Sequence, residues 1–407
     1  MSVPTERYDV AVAGGGLTGL VAAASFARAG FRVVVVEGRE RGAEGDGRVS
    51  AFTVASERIL DRLEVWSRIA GKAPFRRMRV WEAAGGAEIG FEAESVGADY
   101  LGHIAENRVV LETLEEAVDS LGVAWRRPSR VTGLELAGRD LTADLDGSRI
   151  AARLLVGADG GNSLVRRLAG IASRGRDYGQ LGIVCSVRPE RHHDDTAWQV
   201  ARPEGPLAFL PLPDGLCSIV WSTENEHAQH LLALDDAAFR RELGAAFEMR
   251  LGEIEWTGPR SGFPLRAVHA ARYRAPRIAL AGDAAHTIHP LAGQGVNLGI
   301  LDAAVLAEVA AEAAARGRDP GGRAALARYE RRRKAHNLAV TCAVDGFDRL
   351  FRASWPAVRT IRNAGLAATH RLAPVKRRII AHASGFAGDL PASAKPEPSG
   401  RRSEPRP

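Results

Sequence analysis

The sequence predicts an α/β protein of two domains, one built on a parallel sheet covered on both faces and one on an antiparallel β-sheet, followed by a helical C-terminal segment. Three observations predict it. The chain opens with a β-α-β unit folded round a run of glycines. Its middle switches from continuous apolar runs to strand-and-turn alternation. Helical spacing then dominates from Val296 to about Arg352.

Tyr8–Ala13 reads as a buried strand, Gly14–Gly19 as a glycine turn, Leu20–Ala29 as a helix and Arg32–Glu37 as a second strand. Unbroken apolar runs of this length suit parallel strands sandwiched between helices. The helix ends at Gly30, where a left-handed cap costs glycine least. Met78–Glu94 alternates about Gly85-Gly86, the pattern of an antiparallel hairpin. Asn107–Leu121 returns to helical spacing, with Leu111, Leu114, Ala117 and Val118 on one face. A strand at Leu154–Ala158 leads into a basic helix, Leu164–Ala169. Leu181–Val187, Ala197–Ala201, Leu207–Leu210 and Cys217–Trp221 read as the sheet of the second domain, with Phe209, Leu210, Leu212, Ile219 and Trp221 as its apolar inner face. Ile278–Ala281 brings the chain back to the first domain. The expected boundaries are 1–74, 101–178 and 270–330 for the first domain and 75–100 with 179–269 for the second. Residues 331–391 form the helical segment, and the proline-rich 392–407 a disordered tail.

Composition narrows the function classes. At 407 residues and 45% hydrophobic, the chain has material for two sizeable cores. No apolar stretch reaches bilayer-spanning length, and Met-Ser-Val-Pro-Thr-Glu-Arg-Tyr lacks a secretory pattern, so a cytoplasmic protein is expected. Cys185, Cys217 and Cys342 lie far apart, without metal or dithiol spacing, and are expected to be buried thiols. The net charge of +6 gathers largely near the C-terminus, with no aromatic platform or finger beside it, which argues against nucleic acid.

Gly14-Gly15-Gly16-Leu17-Thr18-Gly19 satisfies G-x-G-x-x-G between strand and helix. In that setting Gly14 permits the tight turn, Gly16 lets a pyrophosphate approach the backbone, and Gly19 lets helix and strand pack closely. The helix N-terminus offers free N–H groups and a positive dipole end. Glu37 ends the second strand, where a carboxylate can meet a ribose diol. Dinucleotide binding follows, and Glu37 disfavours a 2′-phosphate, but the motif does not separate FAD from NAD.

Two later segments favour FAD. Leu154–Ser163 carries Asp159-Gly160 from a strand into a turn, and Arg277–His286 delivers Gly282-Asp283 in the same manner. Asp283 sits where a carboxylate can bind a ribityl hydroxyl. Asp159 is equally suited to capping a helix.

These segments resemble the D-G and G-D motifs of the para-hydroxybenzoate-hydroxylase-like flavoprotein monooxygenases. The stretch Gly282–Gly299, together with Tyr329–Asn337 and Asp345-Gly346-Phe347, is similar to the Ubi-type hydroxylases of ubiquinone biosynthesis. The likeness runs from the first strand to about Leu390. It implies an FAD-binding, Rossmann-like domain of glutathione-reductase type under an antiparallel substrate domain. It further implies that NAD(P)H or a ferredoxin-type donor reduces FAD, and that O₂, captured as a flavin C4a-hydroperoxide, hydroxylates the ring of a polyprenyl phenol. Pro290, Gly293 and Gln294 would form the loop at the flavin face. Gly295, Val296 and Asn297 would present backbone and amide to its pyrimidine edge, and Arg48 and Asn107 would touch the cofactor's phosphate and adenosine side. His286 and His289 receive no proton-transfer role, and no metal is expected. Pro374–Ala383, with Lys376, Arg377 and Arg378 beside Ile379 and Ile380, reads either as a membrane-resting segment or as a helix packed on the core. Peripheral contact with the inner face of the plasma membrane, and a multiprotein complex of the pathway, belong to the same expectation. The competing readings are a hydroxylase of a soluble phenol and a flavin-free escort factor for prenylated proteins.

Overall fold

The computed structural model describes residues 5–42, 47–83, 88–288, 293–352 and 373–396. Its first body is an eight-stranded sheet. Glu6–Ala13 lies between Val33–Val36 and Ser148–Gly157, parallel to both, and Ile278–Leu280 extends the parallel set beyond Ser148–Gly157. All four residues of Val33–Val36 are buried. Leu17–Arg28 packs on one face beside Asn107–Ser120 and against Gln294–Ala315. The hairpin of Val131–Ala137 and Asp140–Leu145 continues the sheet antiparallel to Ser148–Gly157.

The second body is a nine-stranded, mainly antiparallel sheet. Its spine, Ser173–Pro189, is much longer than the Leu181–Val187 expected from apolar spacing. The first five residues, Ser173–Asp177, are exposed and carry no apolar signal, yet they pair with Asp177's partner Arg266 through Ala270. Arg77–Glu82 and Glu88–Glu92 pair antiparallel, while the Gly85-Gly86 turn expected between them lies outside the described residues. A small three-stranded sheet of Val49–Thr53, Ala73–Phe75 and Gly102–Glu106 stands between the two bodies.

One face of the large sheet is backed by the helices Asn225–Ala233 and Asp236–Ala246. Phe209 stacks on Phe247 at 3.9 Å between ring centroids, and Trp221 approaches Phe239. Phe209, Ile219 and Trp221 therefore belong to this backing core and not to a ligand-facing wall. Leu210 does face the cavity, whereas Leu212 is buried outside it. A sheet covered on both sides is apolar on both faces, so alternation alone did not say which face was which.

Two further expectations are corrected. Ala392–Ala394, placed in the disordered tail, forms a 3₁₀ turn against the Val54–Arg62 helix, with Ala394 fully buried and its carbonyl accepting from Arg58. Residues 397–407 lie outside the described residues. Cys342 is exposed, while Cys185 and Cys217 are buried.

Candidate active site

A cavity of about 1020 Å³ runs between the two sheets. Its inner part is built on the glycine turn. Gly14 adopts φ +107°, and a Cβ there would come within 2.3 Å of the Ala158 carbonyl oxygen. A Cβ on Gly19 would fall 1.9 Å from the Gly14 carbonyl oxygen, so this glycine sets the approach of helix to strand. Gly16 differs: it lines the cavity, has an ordinary extended conformation, and a Cβ there meets nothing within 4 Å. Glu37 does not line the cavity. Its carboxylate accepts from the Gly15 N–H at 2.5 Å and the Arg39 N–H at 2.9 Å, which pins the turn. Burial raises the Glu37 carboxyl, but those backbone donors and Arg39 outweigh it and hold it below its usual range.

The two acid-bearing turns meet behind the cavity. Arg166, buried, donates to the Gly161 carbonyl at 2.8 Å and the Ala284 carbonyl at 2.7 Å, so one guanidinium joins them. The Asp159 carboxylate accepts from Leu164 N–H at 2.7 Å and Val165 N–H at 3.0 Å. It caps the Leu164–Leu168 helix and is absent from the cavity wall, where Gly160, Gly161 and Asn162 stand instead. Its expected cofactor contact is thus replaced by a capping role, since orphan N–H groups at a helix start take the nearest carboxylate.

Asp283 does line the cavity. Its side chain is exposed to that recess, where partial desolvation raises the carboxyl against the opposing pull of His286 and Arg48. Gly282 lies beneath, at φ +59°, and its N–H donates to Asp302 at 3.1 Å. Asp302 is fully buried and also accepts from His286 Nε2 at 2.6 Å, Arg333 Nε at 2.7 Å and Asn337 Nδ2 at 2.9 Å. Burial alone would raise its carboxyl, but His286 and Arg333 hold it well below the usual range.

Gly293, at φ +58°, is the N-cap of the Gln294–Ala315 helix, and Gly293, Gln294, Gly295 and Val296 line the cavity with the helix N-terminus. Asn297 does not. Its amide oxygen accepts from Thr53 N–H and Ser56 Oγ, and its nitrogen donates to the Ala51 and Gly293 carbonyls at 2.7 and 3.1 Å. Every hydrogen-bonding position of the amide is filled. Asn297 therefore fastens the helix start to the Val49–Thr53 strand and does not reach a ligand edge. Pro290 and His289 lie outside the described residues.

Arg48 and Asn107 both line the cavity. The Arg48 guanidinium lies 5.4 Å from the centroid of the Phe263 ring, and Asn107 Oδ1 is buried without a hydrogen-bond partner among the described residues. Beyond them the wall becomes apolar, with Phe75, Met78, Phe91, Leu101 and Ile380 toward the outer end. Sequence reasoning missed Arg166, Asp302, Arg333 and the cavity-facing Gln199 and Ser222. Asp302 had a readable signal, as a lone acid amid the apolar Leu298–Ala307 run. Among the described residues, no cluster of side chains suits a metal ion, and no helix is long and apolar enough to cross a membrane.

A family model described as FAD binding domain matches residues 7–344. The ubiquinone hydroxylase UbiL of Rhodospirillum rubrum is 38% identical over 93% of this chain and 89% of its own length. The 3-demethoxyubiquinol 3-hydroxylase of Escherichia coli is 37% identical over 94% of this chain and 99% of its own. Among solved structures, p-nitrophenol 4-monooxygenase PnpA from Pseudomonas putida shares the fold, with a TM-score of 0.78 at 23% identity over 95% of this chain and 100% of that one.

Proposed function

The chain belongs to the FAD binding domain family of flavoprotein monooxygenases, and from that premise we propose that it hydroxylates the aromatic ring of a polyprenylated phenol in ubiquinone biosynthesis. One observation carries the reading: a single cavity joins a dinucleotide cradle to an apolar chamber. The residues present fit FAD. Gly16 leaves its flank of the cavity open for a pyrophosphate, Asn107 offers a buried acceptor with no partner among the described residues, and Asp283 offers a carboxylate to ribityl hydroxyls.

When bound, FAD supplies the activation of O₂, with NAD(P)H as the family's usual reductant. The protein's part is position and electrostatics. Backbone N–H groups of Gly295 and Val296, at the positive end of a 22-residue helix, face the cavity and stabilise negative charge there. Gly293 permits the left-handed corner that starts this helix, and Asn297 holds it against the Val49–Thr53 strand. Phe75, Met78, Phe91 and Leu101 keep the chamber dry and accept an isoprenoid chain.

We place the protein in the cytoplasm with peripheral contact to the inner face of the plasma membrane, and in a multiprotein complex of the pathway. The Ala373–Ala383 helix supports the membrane contact: Ile379 is 43% exposed beside Arg377 and Arg378 and lines the cavity mouth. Ile379→Glu should reduce sedimentation with anionic lipid vesicles; equal sedimentation of both proteins removes the membrane from the proposal. Co-purification from the host with other ubiquinone-biosynthesis proteins tests the complex, and isolation of the protein alone rejects it.

Deleting the gene in its host tests the function. Loss of ubiquinone with accumulation of a polyprenyl phenol one hydroxyl short is the expected result, and the precursor's structure names the ring position. Unchanged ubiquinone in a host lacking a redundant hydroxylase redirects the assignment to a soluble phenol.

A further inference from the structure

On the cavity face of the large sheet, the central strands carry small apolar side chains together with the polar Gln199 and Ser222. Across four neighbouring strands the register sets Gln199 beside Ala208, Ala208 beside Val220, and Val220 beside Val184, and all four line the cavity. Ser222 stands one inward position along from Val220. Gln199 is 5% exposed and Ser222 1%, and both line the cavity. An amide and a hydroxyl that line the chamber and are not tied to other side chains among the described residues are placed to take a ligand's hydrogen bonds. Ala208 is too short to obstruct the amide.

We propose that Gln199 anchors the phenolic oxygen of the substrate, with Ser222 as a second polar point on the same wall. This rests on the hydroxylase reading above and adds what the ring must look like. An amide both accepts from a phenol O–H and donates to a neighbouring ring oxygen. The wall therefore selects phenols with a free hydroxyl over rings whose oxygen is blocked. Arg266, which also lines the cavity, pairs with Asp177 at 3.2 Å. Gln199 is a specificity and positioning residue: a ring held by its oxygen presents one carbon to the flavin, and a ring free to rotate wastes oxygen.

The test uses the FAD-loaded protein, a farnesylated phenol and its methyl ether. Binding is read from the change in flavin absorbance without reductant, and coupling from hydroxylated product per O₂ consumed. The wild type should bind the phenol at least tenfold tighter than the ether. Gln199→Leu should bind both at the ether's affinity, with lower coupling but unchanged FAD content and melting temperature. Wild-type discrimination retained in Gln199→Leu overturns the anchor while leaving turnover of the farnesylated phenol to support the hydroxylase reading. Should the wild type refuse farnesylated phenol yet show Gln199-dependent discrimination with unprenylated phenol and anisole, the lipid substrate falls and the anchor stands. A wild type that binds no phenol overturns both.

Discussion

Asp302→Asn is expected to cost about 3–5 kcal/mol of stability and to strip FAD from the purified protein, because it leaves a buried guanidinium without its counter-charge. Asp302 and Arg333 are both fully buried, and the Arg333 Nε to Asp302 Oδ1 distance is 2.7 Å. The same carboxylate receives the Gly282 N–H, so the cluster reaches the turn that presents Asp283. Losing it unsettles the fold and the cofactor site together. The control lies on the same helix. Glu312 pairs with Arg328 and Arg316, but its side chain is 34% exposed. Glu312→Gln should therefore change stability by no more than the roughly 0–1 kcal/mol of an exposed pair.

Urea denaturation and flavin absorbance per protein measure both effects. A penalty at Asp302 no larger than that at Glu312 would show that the buried pair does not hold the turn. The pH dependence follows from the lowered Asp302 carboxyl. A depressed native pKa stabilises above the unfolded value and loses that contribution as pH falls toward the native one. The gap between wild type and Asp302→Asn should thus be full near neutrality and narrow below about pH 4.

That cluster also marks where the sequence becomes opaque. Arg331, Arg332, Arg333 and Lys334 read as one basic run, yet only Arg333 is fully buried. It shares a helical face with Leu326, Tyr329 and Asn337, so its burial is a matter of phase and not of composition. The parallel strands were legible because a strand covered on both faces must be apolar throughout, as Val33–Val36 is. The glycine turn was legible because backbone geometry admits few alternatives at Gly14 and Gly19. Polar residues were harder. Asn297, Asp159 and Glu37 each belong to a motif that reads as cofactor-binding, but backbone donors and acceptors claim them, and one-dimensional spacing does not reveal such claims. The ligand-facing side of the large sheet was misjudged for a related reason. Phe209, Ile219 and Trp221 went to the helix-backed face, while Ala197, Ala208 and Val220 line the cavity on the other.

The glycine motif yields the second large effect, as two different failures from one short sequence. Gly16→Asp should fold normally and lose at least 100-fold in FAD affinity, about 2.7 kcal/mol. Gly16 is the N-cap of Leu17–Arg28, has an extended conformation open to any residue, and leaves room for a Cβ. Aspartate is a favoured N-cap, so the helix gains a side-chain acceptor it now lacks, and the apoprotein should melt no lower than wild type. The same carboxylate repels a pyrophosphate at the one place where it must approach the backbone. Gly19→Ala should do the reverse in order of cause. Its added methyl falls 1.9 Å from the Gly14 carbonyl oxygen and 3.0 Å from its carbon, backbone atoms that cannot swing aside. The helix must back away from the strand, at about 1–3 kcal/mol, and FAD is lost because the cradle has opened. Thermal melting of the two apoproteins, set beside FAD titrations, separates the mechanisms. Tight FAD binding by Gly16→Asp would remove the phosphates from this turn. A Gly19→Ala apoprotein as stable as wild type would show that the helix relaxes at no cost.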